Sequence, residues 1–415
     1  MKRRGWAAPS RVSWLQWRTL VAAHLGWMLD GMDMMLYAFA IPALREQFGF
    51  TAAEAGAVVS LTLVTSAAGG VIAGVAADRW GRARVLAGSI LLYSVCTGMA
   101  ATSRSAGELT FWRAATGFGL GAEWSAGSVL VAETWPADLR ARAIGFMQSG
   151  WALGYGLAAI LAAVVLPQFG WRWLFAVGSV PAVLAWWIRR RIPEPEIWKP
   201  RRPDGLREAL RHVPVVRLVQ ASILSTVVLF AYWGLFSWAP TYLSSDRQSG
   251  GAGLGALRST VWIVALQAGA FAGYNCFGWV ADRVGRRRAA IWFFVGAAGC
   301  SLTYSVAREA PWALLAVSPL LGFFGHGYFS LFGALLAELF PTAVRATAQG
   351  FCYHVGRLAS AVAPAGVGYW SERFGFGPTL AGLSLLYVAA ALVVSLLPET
   401  AGRELSNGGG ATGLI

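Results

Sequence analysis

Apolar residues run along this chain in long blocks separated by short polar clusters. Twelve blocks are long enough to cross a bilayer, which takes about 20 largely apolar residues per helix. They cover residues 18–43, 55–77, 84–103, 108–132, 139–166, 171–190, 216–243, 256–280, 287–307, 311–338, 344–369 and 377–397. The pattern predicts an all-α membrane protein with twelve transmembrane helices. Several blocks are rich in Gly and only moderately apolar, which suits helices packed on one another through small residues. The longest polar stretch falls mid-chain and divides the blocks six and six. Pro193, Pro195, Pro200 and Pro203 argue against one continuous helix there, and a short surface helix is expected over 206–212. The expected organisation is a six-helix bundle over 1–190, a central loop over 191–215 and a second bundle over 216–415.

Composition agrees with this pattern. Hydrophobic residues make up 56% and charged residues 13%, about half the charged share of a soluble domain. That excludes an ordinary water-soluble enzyme and a disordered chain. The net charge of +14 would point to nucleic acid in a soluble protein. Here its distribution explains it. With twelve spans and a cytoplasmic N-terminus, 25 of the 34 Lys and Arg fall on the inner side and seven on the outer, leaving Arg113 and Arg357 within spans. This is the positive-inside pattern, so both termini are expected in the cytoplasm of a multi-pass inner-membrane protein, and no nucleic-acid partner is implied. The first block is too long for a signal-peptide core and carries two Asp, so it reads as a retained helix. Cys96, Cys276, Cys300 and Cys352 lie far apart with no CxxC or Cys/His cluster, so no metal or other cofactor is expected.

The two halves repeat each other. Gly74-x-x-x-Asp78-Arg79-x-Gly81-Arg82 recurs as Gly278-x-x-x-Asp282-Arg283-x-Gly285-Arg286, and Glu133-x-x-Pro136-x-x-x-Arg140 recurs as Glu338-x-x-Pro341-x-x-x-Arg345, both about 205 residues on. The chain thus resembles the major facilitator superfamily of transporters over nearly its whole length. The resemblance implies two pseudo-symmetric six-helix bundles, a central substrate site and alternating access by rocking of one bundle on the other. Physically, Gly81 and Gly285 permit a turn with positive φ, Gly74 and Gly278 are expected to let helices approach closely, and Asp78 and Asp282 to sit near a helix N-terminus and pair with Arg. With Glu133, Arg140, Glu338 and Arg345 they would form a latch on the cytoplasmic side. The alternative is that these arginines only set topology.

Charges inside the spans are the functional candidates, because each costs at least ~2.5–3.5 kcal/mol at the bilayer centre. Asp30 and Asp33 share one face of the first span by their i, i+3 spacing. Two close carboxylates do not both ionise cheaply, so one is expected to hold a proton. Glu123 sits mid-way along the fourth span behind Gly117, Gly119 and Gly121, with Trp124 beside it. Arg113 lies too far along that span to pair with Glu123 and is expected to meet Asp33 or a substrate. Arg357, in the eleventh span, has no acidic neighbour in its own span, so it needs an anion from across the cavity: a protein carboxylate or the substrate. His354 lies one turn before it, and His326 lies mid-way along the tenth span; each is either a titrating group or a hydrogen-bonded packing residue. Gln148, Tyr232, Trp238 and Asn275 are candidate cavity groups.

Asp30-Gly31-Met32-Asp33, Gly119-Leu120-Gly121-Ala122-Glu123-Trp124 and Gly356-Arg357 resemble strings of the aromatic-acid/proton and sialate/proton symporter branch, with Ala122 where that branch has Gly. That resemblance implies proton or substrate roles for Asp30, Asp33, Glu123 and Arg357. Pro398-Glu399-Thr400-x-Gly402-Arg403 resembles the closing motif of sugar and organic-ion porters. No Walker motif is present. The expected function is proton-coupled uptake of a small organic anion, with Arg357, His354, Gln148 and Tyr232 at the substrate and Asp30, Asp33, Glu123, Arg113 and His326 handling the proton. The expected partners are that substrate, H⁺ and the lipid bilayer, and the chain is expected to be a monomer. The rival readings are a sugar or sialate carrier, an exporter, and a sensor that binds without transporting.

Overall fold

The computed structural model describes residues 12–135, 139–192, 215–340 and 345–400. The expected 206–212 helix lies outside them. The first span is the helix Trp14–Phe48. It opens on a capping box in which Ser13 and Gln16 exchange side-chain-to-backbone hydrogen bonds, and it stops at Gly49 with φ 71. The second span, Ala52–Trp80, opens on the same device built from Thr51 and Glu54. Arg82–Ala100 and Ala106–Thr134 follow as the third and fourth spans. The helix Arg140–Val177 breaks at Gly170 (φ 77), so it holds the fifth span and the start of the sixth, which Ala182–Arg191 completes.

In the second half, Val215–Phe236 and Ala239–Ser244 make the seventh span and Gly255–Val284 the eighth. Arg286–Val306 is the ninth. The tenth is Pro311–Gly327 followed by Phe329–Leu339, the eleventh Arg345–Ser360 followed by Val362–Phe374, and the twelfth Phe376–Ser395. Among the described residues eight helical stretches are long and apolar enough to cross a membrane by composition alone, one of them, Arg142–Ile188, holding two spans. The first, fourth and eleventh spans have no such stretch. Those three carry Asp30 and Asp33, Arg113 and Glu123, and Arg357.

Helix packing repeats with the sequence. In the first half span 1 packs on 5, 2 on 4, 3 on 4, and 3 on 6; in the second, 7 packs on 11, 8 on 10, 9 on 10, and 9 on 12. The bundles meet through span 5 against 8 and span 2 against 11, a pair that the same two-fold relation exchanges. Small residues make the close approaches. A Cβ on Gly154 would strike the Met28 carbonyl, one on Gly121 the Ser66 carbonyl, and one on Gly322 the Leu266 carbonyl.

At the end of the molecule where the first span begins and the twelfth ends, Gly81 (φ 106) and Gly285 (φ 97) make the expected turns. Arg286 donates to Asp282 at 2.5 Å. The carboxylate at the N-terminus of the ninth span is not Asp282, however, but Glu399, which accepts the backbone N–H groups of Arg286 (2.7 Å) and Arg287 (3.1 Å). Asp282 sits one turn earlier, at the C-terminal end of the eighth span. No described residue makes the expected close approach at Gly278, where a Cβ would meet nothing within 4 Å. Arg82 donates to the Ala77 carbonyl at 2.8 Å, and Arg283 lies 3.4 Å over the Trp279 ring. The surroundings of Gly74 and the side chains of Asp78, Arg79, Glu133, Arg140, Glu338 and Arg345 lie outside the described residues.

The opposite end is tied shut across the bundles. The Ala52 N–H donates to Glu372 at 2.6 Å, Arg45 pairs with Glu372 at 3.8 Å, and Gly56 lies against the Pro364 backbone. Tyr155 donates to the Phe236 carbonyl at 2.8 Å nearer the centre.

Replacing Gly154 by Ala should lower stability by ~1–3 kcal/mol through overpacking against span 1. The same change at Gly382, where a Cβ meets nothing within 4 Å, should be neutral or stabilising by up to ~1 kcal/mol. Unfolding midpoints of the two purified variants check the contrast.

Candidate functional site

The buried charges gather where spans 1, 4 and 11 face one another. Asp33 and Arg113 are 0% and 1% exposed and form an ion pair of 3.1 Å between Arg113 Nη1 and Asp33 Oδ2. Thr97 of the third span donates its hydroxyl to the other oxygen, Oδ1, at 2.5 Å. The Arg113 guanidinium also lies 5.6 Å from the Tyr37 ring and 6.0 Å from the Phe175 ring. The two charges are therefore paired and shielded from water, with Arg113 Nε left without a hydrogen-bond partner. This is the closed, structural part of the constellation.

Asp30 is different. It is fully buried, and neither carboxyl oxygen has a hydrogen-bond partner. Arg357 is the first charge acting on it, ahead of Asp33 and Arg113, yet Arg357 makes no ion pair within 4.0 Å among the described residues. Arg357 is itself 2% exposed. Glu123 is a second buried carboxyl that makes no well-aligned hydrogen bond, although the Tyr93 hydroxyl of the third span lies close enough to act on it. Gly26 of the first span makes room for it: a Cβ there would collide with the Glu123 carboxylate. The close glycine contacts expected in the fourth span are present, Gly117 against Thr62, Gly119 against Tyr93 and Gly121 against Ser66. The Trp124 side chain lies outside the described residues. Two open carboxyls and one open guanidinium thus remain in an apolar interior, where an unmatched charge is costly.

Arg357 is also on the wall of the central cavity. Trp27, Gln148, Trp151, Tyr232, Trp233 and Tyr353 are among its other walls. The rings interlock: Trp27 on Trp151 at 5.0 Å, Trp151 on Trp233 at 5.9 Å, with the Arg357 guanidinium 6.0 Å from Trp233. The cavity has only about 20 Å³ of room for the centres of water molecules, so its rings must part to admit an organic molecule. A polar line crosses between the bundles at this level. Trp151 Nε1 donates to the Tyr232 hydroxyl at 2.5 Å, which lies 3.3 Å from His326 Nε2. Gln148 donates to the Phe329 carbonyl at 3.4 Å.

Of the residues proposed from sequence, Arg357, Gln148 and Tyr232 come together in the cavity. His354 does not. It packs against Gly70 of the second span, because three helical positions turn it about 60° from Arg357. His326 sits among Phe236, Tyr232 and Tyr274 at 4.3–6.1 Å, away from the carboxyls. Trp238 donates to the Pro364 carbonyl at 2.9 Å, and Asn275 is exposed and donates to Phe271 of its own helix; neither faces the cavity. Thr97 and the aromatic walls Trp27, Trp151, Trp233 and Tyr353 were missed. Nothing distinguishes them in a chain with 21 Trp and 22 Phe.

Comparison with known proteins fits this arrangement. The model of the Major Facilitator Superfamily matches residues 23–364 and again 260–413. The chain belongs to the Major Facilitator Superfamily. It is a multi-pass membrane transporter of that type and not an enzyme. It is 33% identical to a probable 4-methylmuconolactone transporter of Cupriavidus pinatubonensis, over 95% of this chain and 94% of that one. It is 29% identical to a cis,cis-muconate transport protein of Acinetobacter baylyi, over 93% and 95%. The fold matches a partially occluded inward-open structure of the xylose transporter XylE from E. coli, with a TM-score of 0.76 at 19% identity over 95% of this chain and 100% of that one.

The Asp33–Arg113 pair sets a stability test. Arg113→Met alone should cost ~3–5 kcal/mol by stranding a buried carboxylate. Adding Asp33→Asn should recover part of that loss. Unfolding midpoints of both single variants and the double variant measure the coupling; purely additive losses would show that the two groups do not interact.

Proposed function

We propose that this transporter takes up a small organic anion, a planar or aromatic carboxylate, together with a proton. The observation that carries the reading is Arg357: a permanently charged, buried guanidinium on the cavity wall with no carboxylate within 4.0 Å among the described residues. A guanidinium presents a planar fork that matches a carboxylate. The flat rings beside it suit an unsaturated or aromatic body. The relatives named for methylmuconolactone and cis,cis-muconate transport support the same substrate class. A neutral sugar would leave Arg357 unmatched.

Proton coupling follows from the charges around Asp30. In this reading Asp30 is ionised in the empty site, where the Arg357 guanidinium offsets part of the cost of burying its charge. A substrate carboxylate that occupies the Arg357 fork removes that support, so Asp30 takes up a proton as the anion binds. The loaded site then carries no extra charge, and the bundles over 1–190 and 216–415 rock about it with 191–215 as their tether. Glu123, open and electrostatically coupled to Asp30, is the relay for that proton. Asp33 and Arg113, already matched, hold the first and fourth spans together around it. The closed ties at Glu372 and Pro364 belong to the state shut at the end away from the termini. We place the protein in the inner membrane as a monomer, with both termini in the cytoplasm.

Binding linked to uptake of one proton should tighten about tenfold for each unit fall in pH over the range where Asp30 titrates. Calorimetric titration with benzoate, nicotinate and cis,cis-muconate checks this. Asp30→Asn should bind with little pH dependence. Arg357→Lys should weaken binding about tenfold or more through loss of the fork, and unchanged affinity would place the carboxylate elsewhere.

A further inference from the structure

A second cavity lies at the edge of the first bundle, where the first span begins and the sixth ends. Its walls are Trp14, Trp17, Arg18 and Val21 from the first span and Trp187 and Arg191 from the sixth. It has room for about 450 Å³ of water centres. On the first span, positions 14, 17, 18 and 21 share one face by their i, i+3, i+4, i+7 spacing. On the sixth, Val183, Trp187 and Arg191 stack one above another at i, i+4. Both faces grade in the same direction. The arginines and the 75%-exposed Trp14 sit at the helix ends; deeper along the same faces lie Val21 and Val183, 40% and 68% exposed.

Neither Arg18 nor Arg191 makes an ion pair among the described residues. On the neighbouring face of the sixth span, outside the cavity walls, Arg190 lies 4.3 Å over the Trp186 ring. Topology alone accounts for arginines at this level. It does not account for two guanidinium groups from different helices converging on one cavity whose floor runs into an exposed apolar strip.

We propose that this cavity binds an anionic phospholipid. The phosphodiester takes the forks of Arg18 and Arg191. The indoles of Trp14, Trp17 and Trp187 lie at the level of the glycerol backbone, where amphipathic rings are favoured. An acyl chain runs along Val21 and Val183. Charge complementarity selects an anionic head, and the apolar strip selects a lipid over a free phosphate, which would use the arginines alone.

The test is native mass spectrometry of the full-length protein, released from detergent after incubation with phosphatidylglycerol or with phosphatidylcholine of the same chains. Wild type should retain phosphatidylglycerol preferentially, and a large molar excess of inorganic phosphate should not displace it. Arg18→Gln and Arg191→Gln should each lower retention about fivefold, and together about thirtyfold. Melting by circular dichroism verifies that the double variant is folded; if it is not, the single variants carry the expectation. Equal retention of the two lipids by wild type, or of neither, would overturn the proposal. So would folded variants that retain phosphatidylglycerol as wild type does. Displacement by inorganic phosphate would make this a free-anion site and likewise overturn it.

Discussion

Charge held in an apolar interior is the constraint from which the rest of this structure follows. Each ionised group placed mid-span costs at least ~2.5–3.5 kcal/mol, so it persists only if matched or if its mismatch is used. Asp33 and Arg113 are matched, by each other and by the Thr97 hydroxyl. Asp30, Glu123 and Arg357 are buried and left open. The closed pair fixes how spans 1, 3 and 4 sit together, and that framework holds the open groups near one another. In our account the missing charge is brought by the substrate and by a proton, so binding and neutralisation are one event.

The helical framework lets such a site change state without unfolding. Within each bundle, glycines such as Gly154 and Gly121 bring backbones into contact, so each six-helix unit is tightly packed. Between bundles the contacts run through spans 2, 5, 8 and 11. Among the described residues their ties include Glu372 with Ala52 and Arg45 at one end and the Trp151–Tyr232–His326 line at the centre. Rigid units that meet along one interface can rock on it without internal rearrangement. The Glu399 cap at the ninth span ties the segment after the twelfth span to the Gly285 turn.

Much of this was legible in the sequence, for identifiable reasons. Span number followed from block length, and the repeat followed from two motifs at one offset. Depth and charge alone picked out Asp30, Asp33, Arg113, Glu123 and Arg357, because a charge in a membrane span is rare enough to be informative. The pairing of Arg113 with Asp33 was one of two options left open. Rotation about a helix was harder to read. His354 and Arg357 are one turn apart, yet only Arg357 reaches the cavity, while His354 meets Gly70. The aromatic walls were invisible because Trp and Phe are spread over the whole chain. The motif around Glu399 does not reveal its role, which depends on the segment after the twelfth span folding back to the ninth, a contact that no local pattern encodes.

In the proposed mechanism an organic anion and a proton move together through the Arg357 cavity. The most direct measurement uses the purified protein in liposomes holding a trapped pH dye, with carboxylates, sugars and cations added outside and no imposed gradient. The account predicts that a planar carboxylate alone acidifies the lumen, and that Arg357→Ala abolishes the signal while Gly382→Ala keeps it. Acidification driven by a neutral sugar, or by a carboxylate with Arg357→Ala as active as wild type, would contradict it.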